Sequence, residues 1–203
     1  MPEPLLPTAV AVSSPPEFDF AFDPSLDQFN VGVGGFLALH PEFDAIATGA
    51  LVFDQQDRLL LIQRAAHDSM PSRWEVPGGA ADPDDKTVLH AAARELWEET
   101  GLVLKRLVRQ VPLGPEGPDA AVFFTRRNLR IGKFTFESEV EGCGGSSVIK
   151  LDPNEHQHCL WVTEDECRAR RTGGNVEITF TTVQQEQTIL EGFRMRRKQP
   201  QCP

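Results

Sequence analysis

Hydrophobic and polar positions change their spacing several times along the chain, and each change marks an element. Residues 45–53 and 58–64 are β-rich runs separated by Asp54-Gln55-Gln56-Asp57, the pattern of a hairpin. Trp74-Glu75-Val76 reads as a short strand ending at Pro77-Gly78-Gly79. The spacing then becomes helical. Val88, Leu89, Ala92, Ala93 and Leu96 recur on one face, Asp84 or Asp85 is placed to cap the start, and Gly101 supplies a left-handed stop. Residues 102–111, 120–126, 133–140 and 159–162 read as further strands with glycine-containing loops between them. Thr163-Glu164-Asp165-Glu166 has the form of a capping box for a short helix, and residues 181–197 fit a longer amphipathic one. Strands interrupted by three helices, with no internal repeat, predict an α/β sandwich around a mixed β-sheet.

The first 43 residues do not follow these patterns. Seven prolines between Pro2 and Pro41 deny most of the segment a helix interior or a central strand. Residues 1–43 are therefore expected to form a proline-rich acidic extension, 44–195 the main domain and 196–203 a short basic tail. The run Glu17-Phe18-Asp19-Phe20-Ala21-Phe22-Asp23 is unusually aromatic for a linker. Part of the segment, residues 29–39, is expected to lie against the domain surface.

Composition narrows the class. Hydrophobic residues make up 40% of the chain and charged residues 25%, which excludes a collagen-like, coiled-coil or wholly disordered protein and leaves function to a site. No apolar run reaches the roughly 18 residues needed to cross a bilayer, so no membrane is expected as a partner. The net charge of -10 is concentrated early: residues 1–101 carry 5 Lys and Arg against 17 Asp and Glu. No Lys or Arg precedes Arg58, which argues against a secretory or mitochondrial leader and makes the cytoplasm the expected compartment. Such acidity repels a phosphate backbone, so duplex nucleic acid is not an expected partner. The clusters Arg168, Arg170, Arg171 and Arg194, Arg196, Arg197, Lys198 are short enough to be solvated helix faces. Cys143, Cys159, Cys167 and Cys202 match no metal or redox spacing and read as reduced thiols. His156 and His158 alternate along a strand but lack a second ligand pair, so polar strand-entry residues are expected there rather than zinc.

The chemistry lies on the acidic face of the first helix. At about 100° per residue, Glu98 stands about 60° to one side of Glu95 and Glu99 about 40° to the other. Like charges so placed repel by up to ~4 kcal/mol at ~4 Å for an effective dielectric of ~20, so something must neutralise them. Carboxylate oxygens are hard ligands suited to Mg²⁺ or Mn²⁺, ions that bridge protein carboxylates to phosphates.

Gly79, the loop through Lys86, and then Arg94-Glu95-Leu96-Trp97-Glu98-Glu99-Thr100-Gly101-Leu102 resemble the box of the Nudix hydrolase superfamily. Gly49-Ala50-Leu51-Val52-Phe53, Leu60-Leu61-Ile62-Gln63-Arg64, Arg73-Trp74-Glu75-Val76-Pro77-Gly78-Gly79 and Leu160-Trp161-Val162-Thr163 look like that family's flanking strands, extending the resemblance over about residues 45–195. The loop is one residue longer than the family pattern, and Lys86, or Asp85 with the gap placed after it, stands where the family has a glutamate. Asp85 is a candidate partner for Arg94.

The resemblance implies a Nudix fold, a mixed β-sheet in an α/β/α sandwich. It also implies a Mg²⁺-dependent pyrophosphohydrolase acting on a nucleoside diphosphate linked to another moiety. In such an enzyme Glu95 and Glu99 hold the main ion, Glu98 assists a second, and the carbonyl of Gly78 completes a shell. Glu95 is then the general base and Arg94 an orienting residue, with Glu139 and Glu155 the candidates for a base from a distal loop. Trp74, Phe123, Phe124, Phe134 and Phe136 are either stacking platforms for a nucleobase or core. The expected partner is a small-molecule diphosphate, and the oligomeric state, a homodimer included, is left open. The alternative function is a non-catalytic nucleotide-binding sensor.

Overall fold

The structure, a computed structural model, describes residues 16–142 and 149–198. The elements in order are β1 (Ala21–Phe22), a 3-10 helix (Pro24–Phe29), α1 (Val33–Leu39), β2 (Ala45–Val52), β3 (Leu59–Arg64), β4 (Trp74–Glu75) and α2 (Val88–Thr100). They continue with β5 (Leu104–Gln110), β6 (Ala121–Phe124), β7 (Arg130–Val140), β8 (His156–Val162), α3 (Glu164–Ala169) and α4 (Val183–Arg197). No helix among the described residues is long and apolar enough to cross a membrane.

The strands form two sheets rather than one. In the larger, mixed sheet the order is β1-β5-β7-β2, with β6 also on β7. β7 runs parallel to β2 from Ala45 opposite Ile131 to Val52 opposite Ser138. Its other edge is shared by two antiparallel strands, β6 along Arg130 to Lys133 and β5 along Phe136 to Val140. The smaller sheet is antiparallel, in the order β4-β3-β8.

The expected hairpin between β2 and β3 survives only as its turn. Asp54 Oδ1 accepts from the N–H groups of Gln56 and Arg58 at 2.9 Å each, and beyond a bridge between Phe53 and Leu59 the two strands separate into different sheets. The reason is that both edges of β2 are occupied: β7 takes one, and residues 77–81 take the other through Thr48 N–H to Gly79 O (2.8 Å) and Ala50 N–H to Pro77 O (2.8 Å).

Side-chain alternation sorts the core into two layers. Ile46, Ala50, Val52 and Leu60 pack with α1 and α2, whereas Leu51, Phe53, Leu59 and Leu61 pack with Ile189 and Phe193 of α4. Helices thus cover both faces, as the sandwich requires. Thr87, not Asp84 or Asp85, caps α2: its hydroxyl accepts from His90 N–H, and the helix ends at Gly101 with φ 69°. Thr163 and Glu166 form the expected capping box on α3.

Residues 29–39 do more than lie against the surface. Leu26, Phe29, Val33 and Phe36 are each at most 4% exposed, and Phe29 stacks within 5.5 Å of Phe36 and meets Phe136 edge-on at 5.0 Å. Burial of four large apolar side chains, each contributing about 1.5–3 kcal/mol, overrides the interruptions that proline imposes on the sequence pattern. The basic clusters are largely paired: Arg168 with Glu164, Arg170 with Glu186, Arg194 with Glu191, Arg196 with Asp57 and Glu137, and Arg197 with Glu164. Cys159 and Cys167 are free thiols, the latter buried and pushed up to about 12; Cys143 and Cys202 lie outside the described residues.

Candidate active site

The site forms where the chain leaves β4 and α2 crosses above it. Because Pro77 and Gly79 give their carbonyls to β2, the Gly78 peptide groups between them face away from that strand. Gly78 has φ 145°, and a Cβ there would stand 2.2 Å from the Thr48 carbonyl oxygen, so only glycine fits. Its N–H donates to Glu99 Oε2 at 2.6 Å. A Cβ on Gly79 would meet Glu95 Oε2 at 2.4 Å. The two bare backbone positions let two carboxylates descend onto the loop, and Ala91, Ala92 and Ala93, all nearly fully buried, let α2 sit close to the sheet.

Arg94 organises the outer part. Its Nε and Nη2 donate to the two oxygens of Asp85 at 2.9 Å each, Nη2 also to Ala80 O at 2.9 Å, and Nη1 to Glu95 Oε1 (2.8 Å) and Glu98 Oε2 (2.9 Å). Asp85 thus reaches Arg94 from the loop, before the helix begins, while Lys86 is exposed. The bonds to Asp85 first, and the charge of Glu95 after them, hold the Arg94 guanidinium above its ordinary range.

The inner part is buried and built from distant segments. Glu75, Glu99 and His156 are 5%, 6% and 2% exposed. His156 Nε2 lies 3.3 Å from Glu75 Oε1 and 3.8 Å from Glu99 Oε1. Glu75 Oε1 also accepts from Arg64 Nη1 at 2.6 Å, and Arg64 Nη2 donates to Asp68 Oδ2 at 2.5 Å. A turn at Asp152, whose carboxylate accepts from Asn154 N–H at 2.9 Å, starts β8 so that Glu155 and His156 present ligand atoms within 4.8 Å of one from Glu99.

Charge compensation is uneven. Burial pushes Glu75 up, but His156, Lys133 and Arg64 together outweigh it and hold the carboxyl below its ordinary value. Burial also pushes Glu99 up; the Gly78 N–H offsets only part, Glu75 and Glu95 repel it further, and it stands well above the usual range. Glu95 is raised by burial despite Arg94. The protein's own cations therefore satisfy Glu75 and pair Glu95 with Arg94, but leave Glu99 short of positive charge. A hard-oxygen donor set with that deficit fits a small dication.

Of the residues singled out in the sequence, Glu95, Glu99, Gly78 and Glu155 meet at this place, and Glu98 stands at its exposed rim beside Arg94. Glu139 does not join them: it is exposed in β7, opposite Arg106 of β5. Trp74, Phe134 and Phe136 are core, and Phe123 and Phe124 are 39% and 61% exposed. Glu75 and His156 fall outside the sequence reading of the site, which takes His156 as a polar strand-entry residue. The available signal was Glu75 itself, a charge between Trp74 and Val76 in a strand that must be buried and therefore needs a partner.

A mixed sheet between helices, with a glutamate-lined helix above a Gly-Gly strip, defines a hydrolase of the Nudix class. The chain belongs to the NUDIX domain family, which it matches over residues 44–181. It is similar to a MutT-like protein of Streptomyces ambofaciens, 37% identical over 133 residues that make up 66% of this chain and 73% of that one. It is also similar to the m7GpppN-mRNA hydrolase NUDT17 of Danio rerio, 29% identical over 61% of this chain, and spans 43% of the length of that relative. Among solved structures the MutT protein of Methanosarcina mazei Go1 shares the fold, with a TM-score of 0.52 and 22% identity over 76% of this chain and 96% of that one. Nudix hydrolases generally use divalent metals, and Glu99, Glu155 and His156 form a group that could hold one.

Proposed function

We propose that the protein is a Mg²⁺-dependent pyrophosphohydrolase acting on a nucleoside diphosphate linked to another moiety. The observation that carries this reading is the convergence of Glu95 and Glu99 on the Gly78-Gly79 strip, with Glu155 and the buried Glu75 and His156 pair beside Glu99. Glu95, Glu99 and the carbonyl of Gly78 would hold the ion, Mg²⁺ or Mn²⁺, with Glu98 and Glu155 within its surroundings. When bound, such an ion neutralises charge on phosphoryl oxygens and makes water a better nucleophile near neutral pH.

The chain's own residues do the rest. Glu95 takes the proton of the attacking water. Arg94 fixes the Glu95 carboxylate from one side while Asp85 and the Ala80 carbonyl fix Arg94. Glu75 and His156 exclude water from behind Glu99. The name of the Danio rerio relative, an m7GpppN-mRNA hydrolase, describes a nucleoside joined through phosphates to another moiety, which supports the substrate class. Free thiols at Cys159 and Cys167 fit a reducing compartment such as the cytoplasm.

The test is hydrolysis with Mg²⁺ of a panel of nucleotide sugars, ADP-ribose, dinucleoside polyphosphates, capped dinucleotides and nucleoside triphosphates. For the preferred substrate, Glu95→Gln is expected to lower single-turnover hydrolysis by at least ~10²-fold while equilibrium binding changes much less. Wild-type protein that cleaves none of the panel above the Glu95→Gln background would overturn the reading.

A further inference from the structure

We propose that Lys133 is a substrate-binding residue, the cation that meets a phosphate of the substrate across Gly49 from the carboxylates of α2. The proposal rests on the hydrolase reading above.

Lys133 stands in the middle of β7, opposite Ala47 of β2, on the side of the strand shared with buried Thr135 and Glu137. Its stem runs diagonally across β2. A Cβ at Gly49 would lie 3.1 Å from Lys133 Cε and 3.0 Å from Thr135 Oγ1. Gly49 Cα, in turn, lies 2.7 Å from the position of the Cβ that Gly78 lacks, and Gly78 N–H is bonded to Glu99. Two successive positions without side chains, one on β2 and one on the loop, thus leave a lane through which the ammonium group is directed at the inner carboxylates.

Lys133 acts electrostatically on both Glu75 and Glu99. Among the described residues, however, its side chain makes no ion pair, whereas Glu75 is contacted directly by Arg64 and His156. A half-buried lysine aimed at carboxylates that it does not touch is placed for an anion that arrives between them. A phosphoryl group fits, because an ammonium is a compact charge with three rotatable donors that can follow oxygens as charge develops on them. If Lys133 served only as a counter-ion for Glu75 and Glu99, its removal would strengthen metal binding and leave phosphate affinity alone.

The experiment compares wild type, Lys133→Met, Lys133→Arg and Gly49→Ala. Methionine keeps the stem over Gly49, so melting temperature should hold. Lys133→Met is expected to lose about 10²-fold in kcat/KM, and its affinity for inorganic pyrophosphate with Mg²⁺ should fall tenfold or more. Affinity for Mg²⁺ alone should be unchanged or tighter. Lys133→Arg should recover part of both losses. Gly49→Ala, which pushes on the lysine stem, should lower activity in wild type and add little in Lys133→Met. Unchanged pyrophosphate affinity in Lys133→Met, with an active wild type, overturns the role of Lys133 alone. An inactive wild type overturns the hydrolase reading and takes this role with it.

Discussion

Glu98 and Glu99 are neighbours in sequence and carry the same charge, yet they belong to different regions of the molecule. Glu98, with a side chain 47% exposed, is held by Arg94 one helical turn away, and Arg94 is in turn held by Asp85 from the preceding loop. Every partner there lies within fourteen residues, the longest reach being Arg94 to Ala80. Glu99 is buried, and its surroundings come from β4, β7 and β8. The outer region balances its charges with a local network that water also screens. The inner region balances Glu75 and leaves Glu99 short, and an uncompensated buried charge is tolerated where a ligand completes it.

The sharpest way to break this contrast is Glu99→Gln. Mg²⁺ at about 100 times its Kd should stabilise wild type by about 2.7 kcal/mol through mass action, seen as a rise in melting temperature. Glu99→Gln should lose that response and, without metal, be at least as stable as wild type, because a poorly compensated buried charge has gone. An equal metal response in both proteins would move the metal to the outer region.

Asp85→Ala should do the reverse. Loss of two charge-assisted bonds to Arg94 is expected to cost roughly 1.5–3 kcal/mol in chemical denaturation, while the Mg²⁺-induced shift persists. A variant as stable as wild type would mean that the outer network is ornamental.

A smaller effect tests the far end of the inner chain. The bond from Arg64 lowers Asp68 from 3.8 to about 2, against the opposing effect of burial. Since the folded value is the depressed one, the associated stability is present above pH 3.8 and is lost as pH falls from there through about 2. Wild type should therefore lose stability more steeply than Asp68→Asn across that window, and parallel profiles would show that the pair contributes nothing. The smallest change is expected from Lys86→Glu, which restores the residue type of the family pattern. Because Asp85 already occupies Arg94 and Lys86 is exposed, stability should move by less than ~0.5 kcal/mol.

Local features could be read from the sequence because their causes are local. The glutamate face of α2, the stop at Gly101 and the box on Thr163 depend on residues three or four apart, and Asp85 could be named as a partner for Arg94 because it lies only nine residues before it. The inner network could not be read in the same way. Glu75 and His156 are 81 residues apart and meet only because β3 pairs β4 on one edge and β8 on the other. Even the split of β2 and β3 into separate sheets depends on which segments take the edges of β2, and no turn signal encodes that. Proline spacing misled for the same reason: Phe29 and Phe36 are placed by Phe134 and Phe136, about a hundred residues later in the chain.

The two residues of β1 have a consequence for the molecule among its copies. They pair in parallel with Arg106 and Leu107, covering part of the outer edge of β5, and Phe18 and Phe20 pin the same segment against Trp97 and His90 of α2. An open strand edge is a template on which a second chain can add, and among the described residues β5 is defended by this short cover and by Lys105, Arg106 and Arg109 along it. Phe18 and Phe20 thus hold in place a cover over an edge to which a second chain could otherwise add. A chain shortened past Phe22 is expected to aggregate through β5 at concentrations where the full protein stays dispersed.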